Sequence, residues 1–174
     1  RMCRHFREDF GLETRVARFH NVYGPFGTWD GGREKAPAAL CRKVIHAKAT
    51  GSGRIEIWGT GERTRSFMYI DDCILGIGKI TASGVTEPVN LGSSELVSVN
   101  RLVDLIEEIA GVKLERVYQP EAPKGVAGRN SDNTLIRRCL GWEPSTRLCD
   151  GLARTYAWIY DQYMRRARGE PALC

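Results

Sequence analysis

Arg18-Phe-His-Asn-Val-Tyr-Gly-Pro-Phe-Gly-Thr-Trp-Asp-Gly-Gly-Arg-Glu-Lys-Ala-Pro-Ala-Ala-Leu-Cys-Arg-Lys43 decides how the rest of this chain is read. An apolar strand ending at Val22 runs into a loop with four glycines, and Arg33, Glu34 and Lys35 follow where a helix begins. Three ionisable side chains thus sit at a strand-to-helix crossover. In open α/β sheets, ligands bind in crevices at the carboxyl ends of strands, so this crossover is the first place to look for chemistry.

Upstream, residues 1–10 read as a helix and residues 14–22, with Val16, Phe19 and Val22, as one strand feeding the loop. Downstream, Ala38, Ala39, Leu40, Val44 and Ile45 share a helical face over residues 35–48, and Pro37 is tolerated in the first turn. Arg54-Ile-Glu-Ile-Trp58 alternates as a strand does, Gly59-Thr-Gly-Glu62 turns the chain, and residues 64–70 extend again. Asp71 is expected to cap the next helix, with Asp72 adding charge near its positive end. Pro88-Val-Asn-Leu-Gly92 is a short strand. Ser98 caps a helix over residues 99–110 whose buried stripe is Leu102, Leu105, Ile106 and Ile109. A strand over 114–118, a loop over 120–128, a short helix introduced by Asn130-Ser-Asp132 and closed by Gly141, and a last helix over 150–166 complete the pattern. Strands alternating with helices, without a linker, predict one α/β unit over residues 1–174.

Composition bounds the class. A chain of 174 residues, 42% hydrophobic and 27% charged, is ordinary for a globular domain with a core. The net charge of +5 favours an anionic partner. The basic residues are dispersed and lack aromatic interleaving, which argues for a phosphorylated metabolite over nucleic acid. Cys3, Cys41, Cys73, Cys139, Cys149 and Cys174 never form C-x-x-C, so reduced and mostly buried thiols are expected, and no metal site is predicted. No apolar run approaches the roughly 18 residues of a membrane span and nothing resembles a signal peptide, so a soluble cytoplasmic protein is expected.

Several side chains carry two readings on spacing alone. A lysine at a helix start is opposed by the dipole and, where desolvated, gives up its proton more readily. Lys35 could act so, or could be a solvated partner of Glu34 or Asp30. Arg65 and Arg129 could clamp a diphosphate or be surface ion-pair residues. Asn21 could bind a ligand or satisfy a turn. Trp29 and Trp58 are candidates for stacking near a base, with core packing favoured for Trp58. Gly24-Pro-Phe-Gly27 lacks the spacing of a dinucleotide fingerprint, and no tyrosine is followed four residues later by lysine.

Asn21-Val-Tyr-Gly-Pro and Gly31-Gly-Arg-Glu-Lys-Ala-Pro37, in this order and spacing, closely resemble the GDP-mannose 3,5-epimerases, extended short-chain dehydrogenase/reductases of the NAD-dependent epimerase/dehydratase type. The resemblance covers essentially the whole chain. It implies the C-terminal part of a Rossmann-type fold: the last sheet strands with a small substrate-binding lobe, the dinucleotide-binding half lying outside this chain. It also implies a reaction, GDP-D-mannose to GDP-L-galactose, which supplies ascorbate and cell-wall sugars. Hydride leaves hexose C4 for NAD, the ketone acidifies C3 and C5, and protons are exchanged there by an acid/base pair before C4 is reduced again. By resemblance Lys35 is the proton donor, opposite a cysteine outside this chain and matched by none of the six present. Asn21, Glu34, Lys35, Ala36, Lys43, Arg63, Thr64, Arg65 and Arg129 are the implied substrate-binding residues. A homodimer is implied for the complete enzyme and inactivity for this piece alone. UDP-glucose 4-epimerases and nucleotide-sugar dehydratases share the Tyr-Gly-Pro signal but not Gly-Gly-Arg-Glu-Lys-Ala-Pro. A non-catalytic sugar-nucleotide-binding module is the remaining alternative.

Overall fold

A computed structural model of the chain describes residues 1–122 and 126–173. Cys174 and part of the loop expected over 120–128 lie outside the described residues. The elements run α1 (Met2–Phe10), β1 (Ala17–Phe19), β2 (Val22–Tyr23), α2 (Ala36–Thr50), β3 (Arg54–Trp58), β4 (Thr64–Ser66), β5 (Met68–Tyr69), α3 (Ile70–Ala82), β6 (Val89–Leu91), β7 (Leu96–Ser98), α4 (Val99–Ala110), β8 (Glu115–Gln119), β9 (Gly128–Arg129), α5 (Thr134–Leu140) and α6 (Leu148–Ala167). This is the α/β architecture expected, with β1–β6, β2–β5 and β3–β8 each pairing in parallel. The central strand β4 lies antiparallel to β7 on one side and parallel to β9 on the other.

The strand expected over 14–22 is two strands with different partners. Asn21 takes a left-handed φ of 36° between them, a conformation asparagine reaches more readily than most residues. The chain steps from β6 to β5 at that point, and the Asn21 carbonyl accepts a hydrogen bond from the Met68 amide at 3.2 Å. Residues 64–70 likewise divide into β4 and β5, and Ile70 already belongs to α3.

Two apolar clusters divide the interior. One packs α2, α4 and α6 against β3 through Cys41, Val44, Ile55, Ile57, Leu102, Ile106, Leu152 and Ile159. The other joins β5, β6, α3 and α5 through Met68, Cys73, Ile80, Val89, Leu91 and Ile136. The left-handed Gly141 closes α5 as predicted, at φ 57°. Ser98 caps α4 by accepting the Arg101 amide at 3.1 Å.

The acidic pair at α3 behaves differently from expectation. Tyr69 occupies the cap position without a side-chain bond, and Asp71 sits in the first turn, 3.6 Å from Arg154. Asp72 is buried and accepts the Ser145 and Thr146 amides at 3.1 and 2.8 Å, pinning the segment that leads into α6. Asp132, within the expected Asn130-Ser-Asp132 stretch, accepts the Thr134 amide at the start of α5. The thiols also depart from expectation: Cys41 and Cys73 are buried, whereas Cys3 and Cys139 are exposed and Cys149 is half-buried. Among the described residues no helix is long and apolar enough to cross a membrane.

Candidate functional site

The crossover between β2 and α2 builds the first half of the site. Lys35 is the N-cap of α2, in extended conformation at φ −76°, ψ 158°, and Pro37 follows in the first turn. A cleft of about 210 Å³ is lined by Val22, Tyr23, Gly24, Gly27, Thr28, Arg33, Lys35 and Ala38. It shares Val22, Tyr23, Gly24 and Gly27 with a larger, mainly apolar cleft of about 600 Å³ reaching Pro25, Ile70 and Ile74. Both open at the carboxyl ends of the parallel strands β2 and β5, the place where open α/β sheets bind ligands. Gly24 is required there, because a Cβ would collide with the Ile70 side chain. Beneath, the Tyr23 hydroxyl donates to the Leu148 carbonyl at 3.3 Å, and burial pushes the phenol well above its ordinary range.

The carboxylates beside Lys35 do not neutralise it. Glu34, its side chain only 6% exposed, accepts Arg42 Nη2 at 2.9 Å and the Gly32 amide at 2.7 Å. Asp30 pairs with Arg166 at 2.6 Å and Arg42 at 3.3 Å, and accepts the Gly31 amide at 2.9 Å. Burial raises both carboxyls. Hydrogen bonds from the Glu34 backbone, Arg42 and Gly32 for Glu34, and from Gly31 and Arg166 for Asp30, outweigh it and hold both below their ordinary values. The reading of Lys35 as a partner of Glu34 or Asp30 is therefore corrected: no described residue forms an ion pair or side-chain hydrogen bond with its ammonium. Lys35 is exposed, so these residues alone do not supply the desolvation expected for it.

The second half forms on β4 and β9. Their parallel register sets Arg65 directly beside Arg129, and neighbours in register project from the same face of a sheet. Arg65 donates to the Thr64 and Val126 carbonyls, both at 2.6 Å. Thr64 anchors β9 through its amide, which donates to the Ala127 carbonyl at 3.1 Å. No acid among the described residues pairs with either arginine. Like charges set opposite one another on a sheet destabilise it, so the arrangement suits a bound anion.

Asn21 joins the halves. Its side-chain amide donates to the Ser66 carbonyl at 3.0 Å, and Val22, the next residue, lines both clefts. His20 Nδ1 and Ser66 Oγ lie buried near it without hydrogen-bond partners among the described residues. Burial, and secondarily the charge of Arg129, lower the His20 imidazole below its ordinary value. No sequence motif marks His20, and its electrostatic neighbourhood with Arg129 emerges only in the fold.

The remaining predicted residues are spread more widely. Ala36 opens α2. Lys43 reaches toward β3, donating to the Glu56 carbonyl at 3.0 Å and lying 5.8 Å over the Trp58 ring. Arg63 precedes β4 and its carbonyl accepts the Val99 amide. The tryptophans reverse their expected places: Trp58 is 61% exposed and Trp29 1%. Trp29 is covered by Arg166 at 4.3 Å and donates to the Leu173 carbonyl at 2.7 Å.

Among the described residues, Tyr23, Gly24, Pro25, Ile70 and Ile74 form an apolar wall of the larger cleft. The chain holds no glycine fingerprint for the pyrophosphate of a dinucleotide.

Comparison with known proteins shows the family. The model of the NAD dependent epimerase/dehydratase family matches residues 1–92. The chain is 52% identical over 161 residues to GDP-mannose 3,5-epimerase 1 of Oryza sativa subsp. indica, covering 92% of this chain and 41% of that protein. It is 50% identical over 169 residues to GDP-mannose 3,5-epimerase of Arabidopsis thaliana, covering 97% of this chain and 44% of the relative. The crystal structure of UDP-glucose 4-epimerase with UDP-glucose from Thermotoga maritima superposes with a TM-score of 0.83 at 29% identity, over 93% of this chain and 50% of that one. The chain thus spans under half the length of these two curated relatives.

Proposed function

The chain belongs to the NAD dependent epimerase/dehydratase family, and from that premise we propose that it carries the nucleotide-sugar half of a GDP-mannose 3,5-epimerase. The complete enzyme converts GDP-D-mannose to GDP-L-galactose. It would do so as a cytoplasmic homodimer supplying ascorbate and cell-wall sugars, with the dinucleotide-binding half contributed by residues outside this chain.

The observation that carries this reading is the state of Lys35. Lys35 lines the cleft while both nearby carboxylates are committed to arginines. A lysine at a ligand crevice with no carboxylate partner is suited to exchange a proton with carbon. Bound NAD supplies the hydride acceptor and donor for hexose C4. Arg65 and Arg129, side by side on β4 and β9, hold the diphosphate beside Arg63 and Thr64, and Lys43 is assigned to the substrate by the resemblance alone. The Asn21 amide, fixed on the Ser66 carbonyl between β1 and β2, orients the sugar. Ala36 and the backbone of Glu34 border it, since the Glu34 carboxylate is already engaged. Lys35 then delivers a proton to C3 or C5, opposite a base from the other half.

The test joins this chain to the N-terminal half of the Arabidopsis thaliana relative and incubates it with NAD and GDP-mannose in deuterated water. Deuterium enters C3 and C5, and Lys35→Ala abolishes epimerisation while NAD remains bound. NAD binding without deuterium entry defeats the proposal.

A further inference from the structure

We propose that Arg42 is a positioning residue for proton exchange, holding Lys35 in register by clamping the glycine loop ahead of it; this rests on the reading of Lys35 given above. The loop needs such a device. Gly31 and Gly32 take φ of 95° and 84°, and glycine in such conformations leaves the backbone many alternatives. Arg42 lies about two helical turns after Lys35 and reaches back to three points of the loop. Its Nε donates to the Trp29 carbonyl at 3.2 Å and lies 3.3 Å from Asp30 Oδ1, while Nη2 donates to Glu34 Oε1 at 2.9 Å.

The two carboxylates extend the clamp into the glycines. Asp30 accepts the Gly31 amide and Glu34 the Gly32 amide, at 2.9 and 2.7 Å. One guanidinium thereby fixes residues 29–34 from both sides, and Lys35 is the next residue. The planar fork is what makes this possible, since a lysine at 42 could reach one acceptor but not all three in fixed geometry. Glu34 is 6% and Arg42 28% exposed at the side chain, so this is no solvated surface pair. A brace from α6 completes the arrangement: Arg166 pairs with Asp30 and covers the Trp29 ring. Lys35 itself bonds to none of these groups, so the clamp orients the ammonium without neutralising it.

The experiment uses the joined enzyme described above, comparing Arg42→Met, Lys35→Ala and the double variant. Deuterium entry at C3 and C5 and calorimetric binding of GDP-mannose are measured for each. Misplacing a reacting group by about 1 Å can cost on the order of 100-fold in rate. Arg42→Met is therefore expected to slow deuterium entry about 10- to 100-fold. The affinity for GDP-mannose stays within about twofold, amide exchange over residues 29–34 rises, and the double variant is no slower than Lys35→Ala alone. Should Arg42→Met fail to fold, Arg42→Lys, which keeps the charge and loses the fork, carries the same expectation. Unchanged deuterium entry in the arginine variant beside an inactive Lys35→Ala overturns the clamp alone. So do losses that add in the double variant, or a slowing fully matched by weaker GDP-mannose binding. Unchanged deuterium entry in Lys35→Ala instead overturns the reading of Lys35, and the clamp with it.

Discussion

The glycine loop before α2 and the strand pair β4–β9 both gather arginines, under opposite electrostatic arrangements. In the loop, Arg42 and Arg166 meet Asp30 and Glu34, and each carboxylate also accepts a loop amide. On the strands, Arg65 and Arg129 stand in register with no acid among the described residues to separate them. Cations matched within the chain serve its architecture. Cations set side by side without a counter-charge can receive an anion, which is the basis for proposing them as a diphosphate clamp. Lys35 belongs with the second kind although it sits in the first region, because its carboxylate neighbours are turned toward Arg42 and Arg166.

Removing one arginine from each region should separate the two roles. Arg42→Met leaves the largely buried Glu34 carboxylate without its cation, and abandoning a buried charge is costly. Chemical denaturation should register a loss of about 3 kcal/mol, at the lower end for such losses. Arg129→Met, at an exposed position, should change stability by no more than about 0.5 kcal/mol. Equal losses at both sites would erase the distinction. The order reverses for ligand binding. Arg129→Ala in the complete enzyme should weaken GDP-mannose by about 1.5–3 kcal/mol, the worth of a charge-assisted hydrogen bond. An unaltered affinity in calorimetry would remove Arg129 from the diphosphate clamp.

The two regions also differ in how far the sequence reveals them. Helix α2 was legible because Pro37 and the apolar face from Ala38 to Ile45 agree locally, and its cap position at Lys35 follows from them. The adjacency of Arg65 and Arg129 was not, since β4 and β9 are distant in sequence and a two-residue strand has no pattern of its own. The resemblance implies that both bind substrate, and their register is what supports proposing them as a pair. Other misses left usable signals. Ile55 and Ile57 face inward on β3, so alternation alone places Trp58 on the outer face. Asn21 is a residue type enriched at left-handed positions, and such a position breaks one strand into β1 and β2. Burial of Trp29 depends on α6 and Leu173, far along the chain, and no local pattern carries that information. The clamp was half visible, for Arg42 shares a helical face with Lys35, but its target depends on the fold of the glycine loop.

The smallest expected effect tests whether the arginine pair projects its charge toward Asn21 in solution. Burial is the larger cause of the lowered His20 value and Arg129 the smaller. Arg129→Gln should therefore raise the His20 midpoint in a proton NMR titration without restoring its ordinary value. The sign for stability follows from proton counting. Between the lowered folded-state value and the unfolded value of about 6.5, the unfolded chain binds more protons, so stability falls as the pH drops through that window. It is fully present above the window, and Arg129→Gln should narrow the loss. A diphosphate bound between Arg65 and Arg129 offsets the same charge, so GDP should move the His20 midpoint upward in the unsubstituted chain and much less in the variant. If neither the substitution nor GDP moves His20, the charge of Arg129 does not reach the Asn21 end of the site, and the strand pair has lost its link to the crossover.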